Sequence, residues 1–405
     1  MGQELRYRFK NEAKTMLDLK KVRAKIIDEQ SSELNYFDPT KDLANRLHPV
    51  YVNSVIESIT DVTDDEKTIR LVPDFDAGTK EMPTFRAGQY ISIFGEIDGS
   101  LITRPYTLAS SPIDALHENY WEINVKKDEN GFFTPWIWEN WEVGTKVKSS
   151  SPFGFVYHDK IRDSKDYICI CGGSGIALGR TMLRDAVQRD LPNKVTLIYG
   201  AKSVKDLAFK EEFDAYEKET NGRVKAVYVL SDPDPKDKWE GPTGFISKDI
   251  IKAAGGTADT TYFLCGPKVM YDFLDKEFEK MNVPAHCVRR EASSVVDITK
   301  YPDYPKEKAN DVYKLTVKCG LAKVDIEARA DESLMVALER GGIAIPAHCR
   351  AGECGFCNSL LVSGDVYYRP DAEHRRLGDI RFHHIHPCVT YPLSDCEIEV
   401  QLVQE

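Results

Sequence analysis

The sequence has no unbroken apolar run of about 18 residues, so it offers no candidate for a membrane-crossing helix. Its opening, MGQELRYRFK, lacks the apolar core that a secretory signal needs. Basic residues are in deficit. The 54 Lys and Arg against 65 Asp and Glu leave a formal net charge of -11, which argues against nucleic acid as the main partner. Internal repeats and low-complexity tracts are also absent. Without a signal segment, the ten cysteines read as metal-binding or catalytic groups rather than a disulfide framework. A reducing, cytoplasmic setting is therefore expected.

What is present is a chain of 405 residues, 42% hydrophobic and 29% charged, too long for one core and suited to roughly two to four domains. Residues 1–47 stand apart. Residues 1–26 carry eight Lys/Arg against three Asp/Glu, a local charge of +5. Met16, Leu19 and Ile26 share a helical face in NEAKTMLDLKKVRAKIIDEQ, so a helical extension is expected. It reads either as a helix packed on the next domain or as a docking arm for an acidic partner protein.

Residues 48–158 hold short β-rich runs, among them YVNSVIESIT, TIRLVPDF, QYISIFG and WEINVKK, broken by Gly, Pro and Asp. That punctuation predicts an antiparallel barrel or sandwich. In residues 159–296 buried strands (YICICG, KVTLIYG, RVKAVYVL, TTYFLCG) alternate with helical or loop crossovers, the pattern of a parallel α/β sheet. Residues 297–310, DITKYPDYPKEKAN, are polar, contain two prolines and lack periodicity, so a linker is expected. Residues 311–405 open with a hairpin-like pair, YKLTVKCG and AKVDIEARA, followed by the helix ESLMVALERGG.

The C-terminal region carries the most specific signal. CRAGECGFC places Cys349, Cys354 and Cys357 in the spacing C-x4-C-x2-C, and Cys388 follows after thirty residues. This is the plant-type [2Fe–2S] ligand pattern. Four thiolates on two irons carry excess negative charge, so backbone N–H groups must point at the sulfurs. Small residues such as Ala351, Gly352 and Gly355 let the chain wrap closely, and Arg350 can offset part of the charge. A four-cysteine zinc site is the alternative. Zinc knuckles pair one C-x2–4-C with another, whereas here the fourth cysteine stands alone. His383, His384 and His386 read as surface or packing residues. The region resembles plant-type ferredoxins over residues 311–405, which implies a β-grasp fold.

RPYT at 104–107, just after a predicted barrel strand, resembles the flavin motif of the ferredoxin–NAD(P) reductase superfamily. The resemblance implies that Arg104 clamps the flavin pyrophosphate, that Tyr106 stacks on the isoalloxazine, and that the Thr107 hydroxyl lies near N5, with Pro105 between. It also implies that NVKK (Val125, Lys126) runs beside the flavin, and that Gly131 and Thr134 of GFFTPWIW belong to the site. Thr134 is expected to N-cap a helix whose N-terminus holds phosphate. FAD is favoured over FMN. Trp136, Trp138 and Trp141 are most simply core packing.

CGGSGIALGR matches the superfamily's pyrophosphate loop through Gly172, Gly173, Ser174 and Gly175, with Leu178 where the family often has Pro. YFLCGP supplies Cys265, Gly266 and Pro267 at the nicotinamide edge. Without its neighbours, Cys265 would read as a buried structural residue. Glu291 in REAS is a further candidate near the flavin, although Ala292 replaces the usual aromatic. The candidate catalytic residues are thus Tyr106, Thr107, Cys265 and Glu291. Ser231–Asp232 stands where a phosphate-binding Ser-Arg pair occurs in plant reductases, so NADH is favoured, while Lys202 and Lys205 keep NADPH open.

The order of flavin, nicotinamide and ferredoxin segments resembles oxygenase reductase components, demethylase reductases and the reductase of the hybrid-cluster protein, over residues 48–405. The implied activity is electron transfer from NAD(P)H through FAD to a [2Fe–2S] cluster and on to a partner protein: an oxygenase, a demethylase, a hybrid-cluster protein or another redox protein. Reduction of NAD+ in reverse, or a role as a permanently bound part of a larger complex, are the alternatives.

Overall fold

The structure is a computed structural model that describes residues 12–29, 38–129, 131–291 and 296–401. The chain divides into two units, Met1–Asn45 and Arg46–Glu405. The first contains α1 (Glu12–Asp28) and most of α2 (Pro39–Leu47). Asp38 caps α2 by accepting from the N–H groups of Thr40 and Lys41, and Pro39 fits the first helical position, where no N–H is needed. The helix expected around residues 11–30 is present, and Met16, Leu19 and Ile26 on it are exposed.

The second unit begins with six antiparallel strands: β1 (Tyr51–Thr63), β2 (Glu66–Pro73), β3 (Tyr90–Ile97), β4 (Ser100–Thr107), β5 (Trp121–Lys126) and β6 (Lys146–Ser150). Two short helices, α3 (Pro112–His117) and α4 (Phe133–Asn140), join them. The strand order is β4-β3-β6-β1-β2-β5. A bridge between Leu108 and Ile123 brings the two edge strands together, so the sheet closes into the expected barrel. Alternation drives the closure: Val52, Ser54 and Ile56 of β1 point inward, and Ile69, Leu71, Ile91, Ile93, Trp121 and Ile123 fill the interior. Trp136, Trp138 and Trp141 pack against this core, as expected.

The α/β region runs β7 (Tyr167–Gly172), α5 (Ile176–Gln188), β8 (Val195–Ala201), α6 (Lys210–Glu219), β9 (Val224–Leu230), α7 (Lys248–Ala253), β10 (Thr261–Cys265), α8 (Lys268–Met281) and β11 (Val288–Arg290). The sheet order is β11-β10-β7-β8-β9, and every pairing is parallel. Every residue of β7 is buried. Cys169 and Cys171 enter the core on one face, and Ile168 and Ile170 enter the core on the other, which is why the strand reads as a continuous apolar run. The chain leaves β7 toward β8 and β9, then returns to β10 on the opposite side. The gap between the ends of β7 and β10 is therefore the switch point where ligands bind in such sheets.

The C-terminal part has β12 (Val312–Cys319), β13 (Ala322–Arg329), α9 (Leu334–Arg340), β14 (Ser359–Ser363), β15 (Val366–Tyr368), α10 (Leu377–Arg381), β16 (His384–Ile385), β17 (Thr390–Pro392) and β18 (Cys396–Glu399). Its main sheet, β13-β12-β18-β14-β16, has α9 packed across it through Leu334, Met335 and Leu338, the expected β-grasp arrangement. The segment 297–310 differs from the expected linker. Ile298, Tyr301 and Tyr304 are buried in a cluster with Tyr367 and Tyr391, so these residues anchor the C-terminal region rather than span a gap. Their spacing of three matches no regular strand period, which hides the apolar side from a periodicity reading.

Candidate functional site

A cavity of about 870 Å³ opens at the switch point, between the barrel and the ends of β7 and β10. That volume is in the range of sites that bury a sizeable ligand. Pro105, Tyr106, Thr107, Lys126 and Thr134 line it from the barrel. Gly172, Gly173, Ser174 and Gly175 line it from the first βα turn, Cys265, Gly266 and Pro267 from the turn after β10, and Glu291 from the end of β11. Four distant stretches of sequence thus meet at one place.

Three of the candidate catalytic residues form one hydrogen-bonded group around Glu291. Thr107 Oγ1 donates to Glu291 Oε1 at 2.7 Å, and Cys265 Sγ donates to Glu291 Oε2 at 2.9 Å. Burial raises the Glu291 carboxyl above its ordinary range, and the bonds from Cys265 and Thr107 pull the other way. Burial, then the adjacent Glu291, pushes the Cys265 thiol well up, so it stays protonated and acts as a donor. Tyr106, the fourth candidate, presents a half-buried ring beside them.

The turn between β7 and α5 fits a phosphate group by what it lacks. A Cβ on Gly175 would lie 2.2 Å from the Cys265 carbonyl oxygen, so only glycine lets the loop pass this close to the end of β10. Gly173 adopts φ of 54° in the same turn.

Three expected residues do not line the cavity. Val125 is fully buried in the barrel core, because inward residues alternate along β5. Gly131 donates its N–H to Asp128 O at 2.8 Å and supports the Asp128 turn at the cavity wall. Arg104 turns toward the C-terminal region, where its Nη1 meets Glu339 Oε1 at 3.0 Å. Thr134 is not the helix cap. Phe132 holds that position, and Thr134 Oγ1 instead accepts from the Asp128 N–H at 3.0 Å. The helix starts two residues early because Phe133 is drawn into the barrel core.

The cavity also has walls that sequence reasoning missed. Tyr271 lines it, accepts from the Gly266 N–H at 3.0 Å and donates to Glu291 O at 2.8 Å, tying the two nicotinamide-edge segments together. Phe245 and Phe273, with ring centroids 5.3 Å apart, form another wall. The available signal was Tyr271 one helical turn beyond the Gly266–Pro267 turn. Lys202, Asp206 and Ser231 line the ribose end, while Lys205 is not among the lining residues.

The four cysteines of the C-terminal region gather as two pairs. Cys357 Sγ lies 3.5 Å from Cys388 Sγ, and Cys349 and Cys354 are hydrogen-bonded to each other. Cys349 Sγ also accepts from the N–H groups of Ala351 and Cys354, at 3.4 and 3.3 Å. Arg350, Gly352 and Gly355 all have positive φ, which wraps the loop around the sulfurs; a Cβ on Gly352 would sit 2.8 Å from Ala372 O. Among the described residues no three His, Cys, Asp or Glu converge on one point as a single ion requires. A binuclear cluster needs two thiolates per iron, so two thiol pairs fit [2Fe–2S]. His386 is buried and bonded to Gly352 O at 2.8 Å, and His384 is bonded to Asn358, both packing roles as expected.

Cavity and thiols adjoin the same β-ribbon. Tyr90 of β3 is paired with Thr107 of β4 and packs on Cys349 and Ala351, with Phe153 and Cys354 at the edge of that contact. Phe153, His348 and Phe356 pack beside it in tilted and edge-on contacts, with centroids 4.7 and 4.1 Å from His348.

Comparison with known proteins matches three parts of the chain to known domains. Residues 54–158 match the oxidoreductase FAD-binding domain, residues 169–276 the oxidoreductase NAD-binding domain, and residues 319–393 the 2Fe-2S iron-sulfur cluster binding domain. The phenol hydroxylase P5 protein of Acinetobacter pittii is 30% identical over 241 residues, 58% of this chain and 63% of that protein. One component of the Na(+)-translocating NADH-quinone reductase of Pseudoalteromonas atlantica is 30% identical over 211 residues, 49% of this chain and 50% of its own length. The chain thus spans between half and two thirds of these curated relatives. Among solved structures, phthalate dioxygenase reductase shares the fold with a TM-score of 0.62 at 20% identity, covering 90% of this chain and all of that one. The chain belongs to the ferredoxin–NAD(P) reductase superfamily, in the branch that carries a C-terminal plant-type [2Fe–2S] domain.

Proposed function

We propose that this chain is an NAD(P)H-dependent iron–sulfur flavoprotein reductase that carries electrons from nicotinamide through FAD to a [2Fe–2S] cluster and on to a separate acceptor protein. One observation carries the reading: Thr107, which lines the cavity, is paired across the ribbon with Tyr90, which packs on Cys349. When bound, a flavin accepts a hydride and releases electrons singly, and the cluster takes one at a time. The remaining chemistry belongs to the protein's own groups.

Tyr106 provides a ring face for the isoalloxazine. Thr107, held by Glu291, offers its hydroxyl near the hydride-accepting atom, and Cys265 holds the nicotinamide edge on the other side of the same carboxylate. Thr134 and Lys126 border the flavin's polar end, with Pro105 shaping the turn. Gly172, Gly173, Ser174 and Gly175 cradle the nicotinamide pyrophosphate, and Gly266 and Pro267 close the site. Arg104 reaches the flavin phosphate only with guanidinium atoms other than the Nη1 held by Glu339. Cys349, Cys354, Cys357 and Cys388 are the cluster ligands.

NADH is the preferred donor, since Asp206 and the Ser231–Asp232 turn put negative charge near the ribose end, where a 2′-phosphate would be repelled. An oxygenase is the favoured acceptor class, in line with the phenol hydroxylase protein named above. The NADH-quinone reductase component supports a second reading, in which this chain is held permanently in a larger complex. The six cysteines outside the proposed ligand set form no disulfide, which supports a reducing, cytoplasmic compartment, and no helix among the described residues is long and apolar enough to cross a membrane. The test is oxidation of NADH and NADPH by the purified holoprotein, with cytochrome c as artificial acceptor. Turnover with a lower KM for NADH supports the first reading, and failure to oxidise either nucleotide overturns it.

A further inference from the structure

We propose that Glu339 is a positioning residue that clasps the flavin strand to the cluster loop and fixes the gap electrons cross between them; this rests on the reductase reading above. Glu339 lies near the end of α9 and is buried. Its carboxylate takes donors from two separate places. From β4 come the Thr103 N–H at 3.3 Å and Arg104 Nη1, at 3.0 Å to Oε1 and 3.2 Å to Oε2. From the cluster loop comes Arg350, whose Nη1 and Nη2 fork onto Oε1 and Oε2 at 2.8 and 3.1 Å. Both carboxylate oxygens are engaged, and one side chain joins the nearby cluster loop to a strand 235 residues earlier in the chain.

Two features go beyond what folding requires. Arg350 sits between the ligand Cys349 and Ala351 with φ of 59°, a left-handed conformation that costs a non-glycine residue free energy and must be held in place. The bidentate pairing with Glu339 holds it. Two guanidinium groups, the buried one of Arg350 and the half-buried one of Arg104, and one buried carboxylate also leave a net charge of +1, which suits a loop that holds four thiolates. A buried ion pair is weak evidence for stability, and its best-attested use is fixing one geometry. Here the fixed geometry is the separation of RPYT from CRAGEC, over which tunnelling falls off exponentially.

The test compares Glu339→Gln and Glu339→Asp with the parent, in the full-length holoprotein, after flavin and cluster contents have been measured by absorbance. Rapid mixing with NADH is expected to show unchanged flavin reduction in both variants, with cluster reduction slowed several-fold. A redox titration separates charge from shape. In Glu339→Gln the cluster potential rises, because one negative charge beside it is gone. In Glu339→Asp the potential stays at the parent value while the rate still falls. If Glu339→Gln loses its cluster, the aspartate variant decides alone. A parent-like cluster-reduction rate in Glu339→Asp overturns the clasp, and so do parent-like rate and potential in Glu339→Gln. A parent protein that does not oxidise NADH overturns the reductase reading instead.

Discussion

The cluster loop and the cavity are built on opposite plans. Three of the four candidate ligands come from nine consecutive residues, and their placement is set by local backbone: three positive φ angles and two N–H groups aimed at one sulfur. The cavity is assembled from pieces more than 180 positions apart, and its central contact, Thr107 with Glu291, exists only because a barrel and a parallel sheet close on each other. A local site is most fragile to changes within it. An assembled site depends on every wall.

That contrast can be broken in graded steps. The largest effect is expected from Cys354→Ser. It should abolish the iron–sulfur absorbance and cytochrome c reduction while NADH still reduces the flavin; equal loss of flavin reduction would show that the two sites are not separable. Next is Gly175→Val. The new side chain collides with the Cys265 carbonyl, so the KM for NADH should rise by about tenfold or more, near 1.4 kcal/mol, with the cluster spectrum intact. An unchanged KM would remove this turn from the nucleotide site.

Thr107→Val should have a smaller effect. It leaves one oxygen of a buried carboxylate without its donor, so single-turnover flavin reduction should slow by several-fold, about 1 kcal/mol. The same change removes a bond that favours ionised Glu291, so the pH midpoint of that rate should move up. A midpoint that stays in place would separate Glu291 from the reaction.

The last effect bears on stability rather than activity and lies in the barrel wall. Glu66, buried opposite Lys126, is pushed up to about 7, chiefly by burial. The native state then keeps a proton that the unfolded chain releases, so stability is expected to fall as pH rises from about 4.5 through about 7, by up to roughly 3 kcal/mol. Glu66→Gln should flatten that fall in urea midpoints measured across the window. A slope unchanged by the substitution would assign the dependence to other groups.

The same contrast explains what can be read from the chain. Cysteine spacing, the glycine turn after β7 and the RPYT strand are contiguous signals, and each marks an element that the structure brings to the expected place. The motif assigns Arg104 to the flavin phosphate, but its nearest acid is Glu339, 235 residues away, and no local pattern announces that pairing. Tyr271 escapes sequence reading for a related reason: on a helix its spacing looks like core, and only the fold turns its hydroxyl onto Gly266 and Glu291. Ile298, Tyr301 and Tyr304 lie in a proline-containing stretch whose composition reads as linker, and their burial depends on tyrosines from β15 and β17.

The central claim is that electrons pass from the cavity to the thiols across the β3–β4 ribbon. Anaerobic rapid mixing of the full-length holoprotein with NADH, followed by the separate flavin and cluster absorbances, tests it most directly. The account predicts two ordered phases, with the flavin reduced first and the cluster at its expense. Cluster reduction that precedes flavin reduction, or proceeds in protein stripped of flavin, would contradict it.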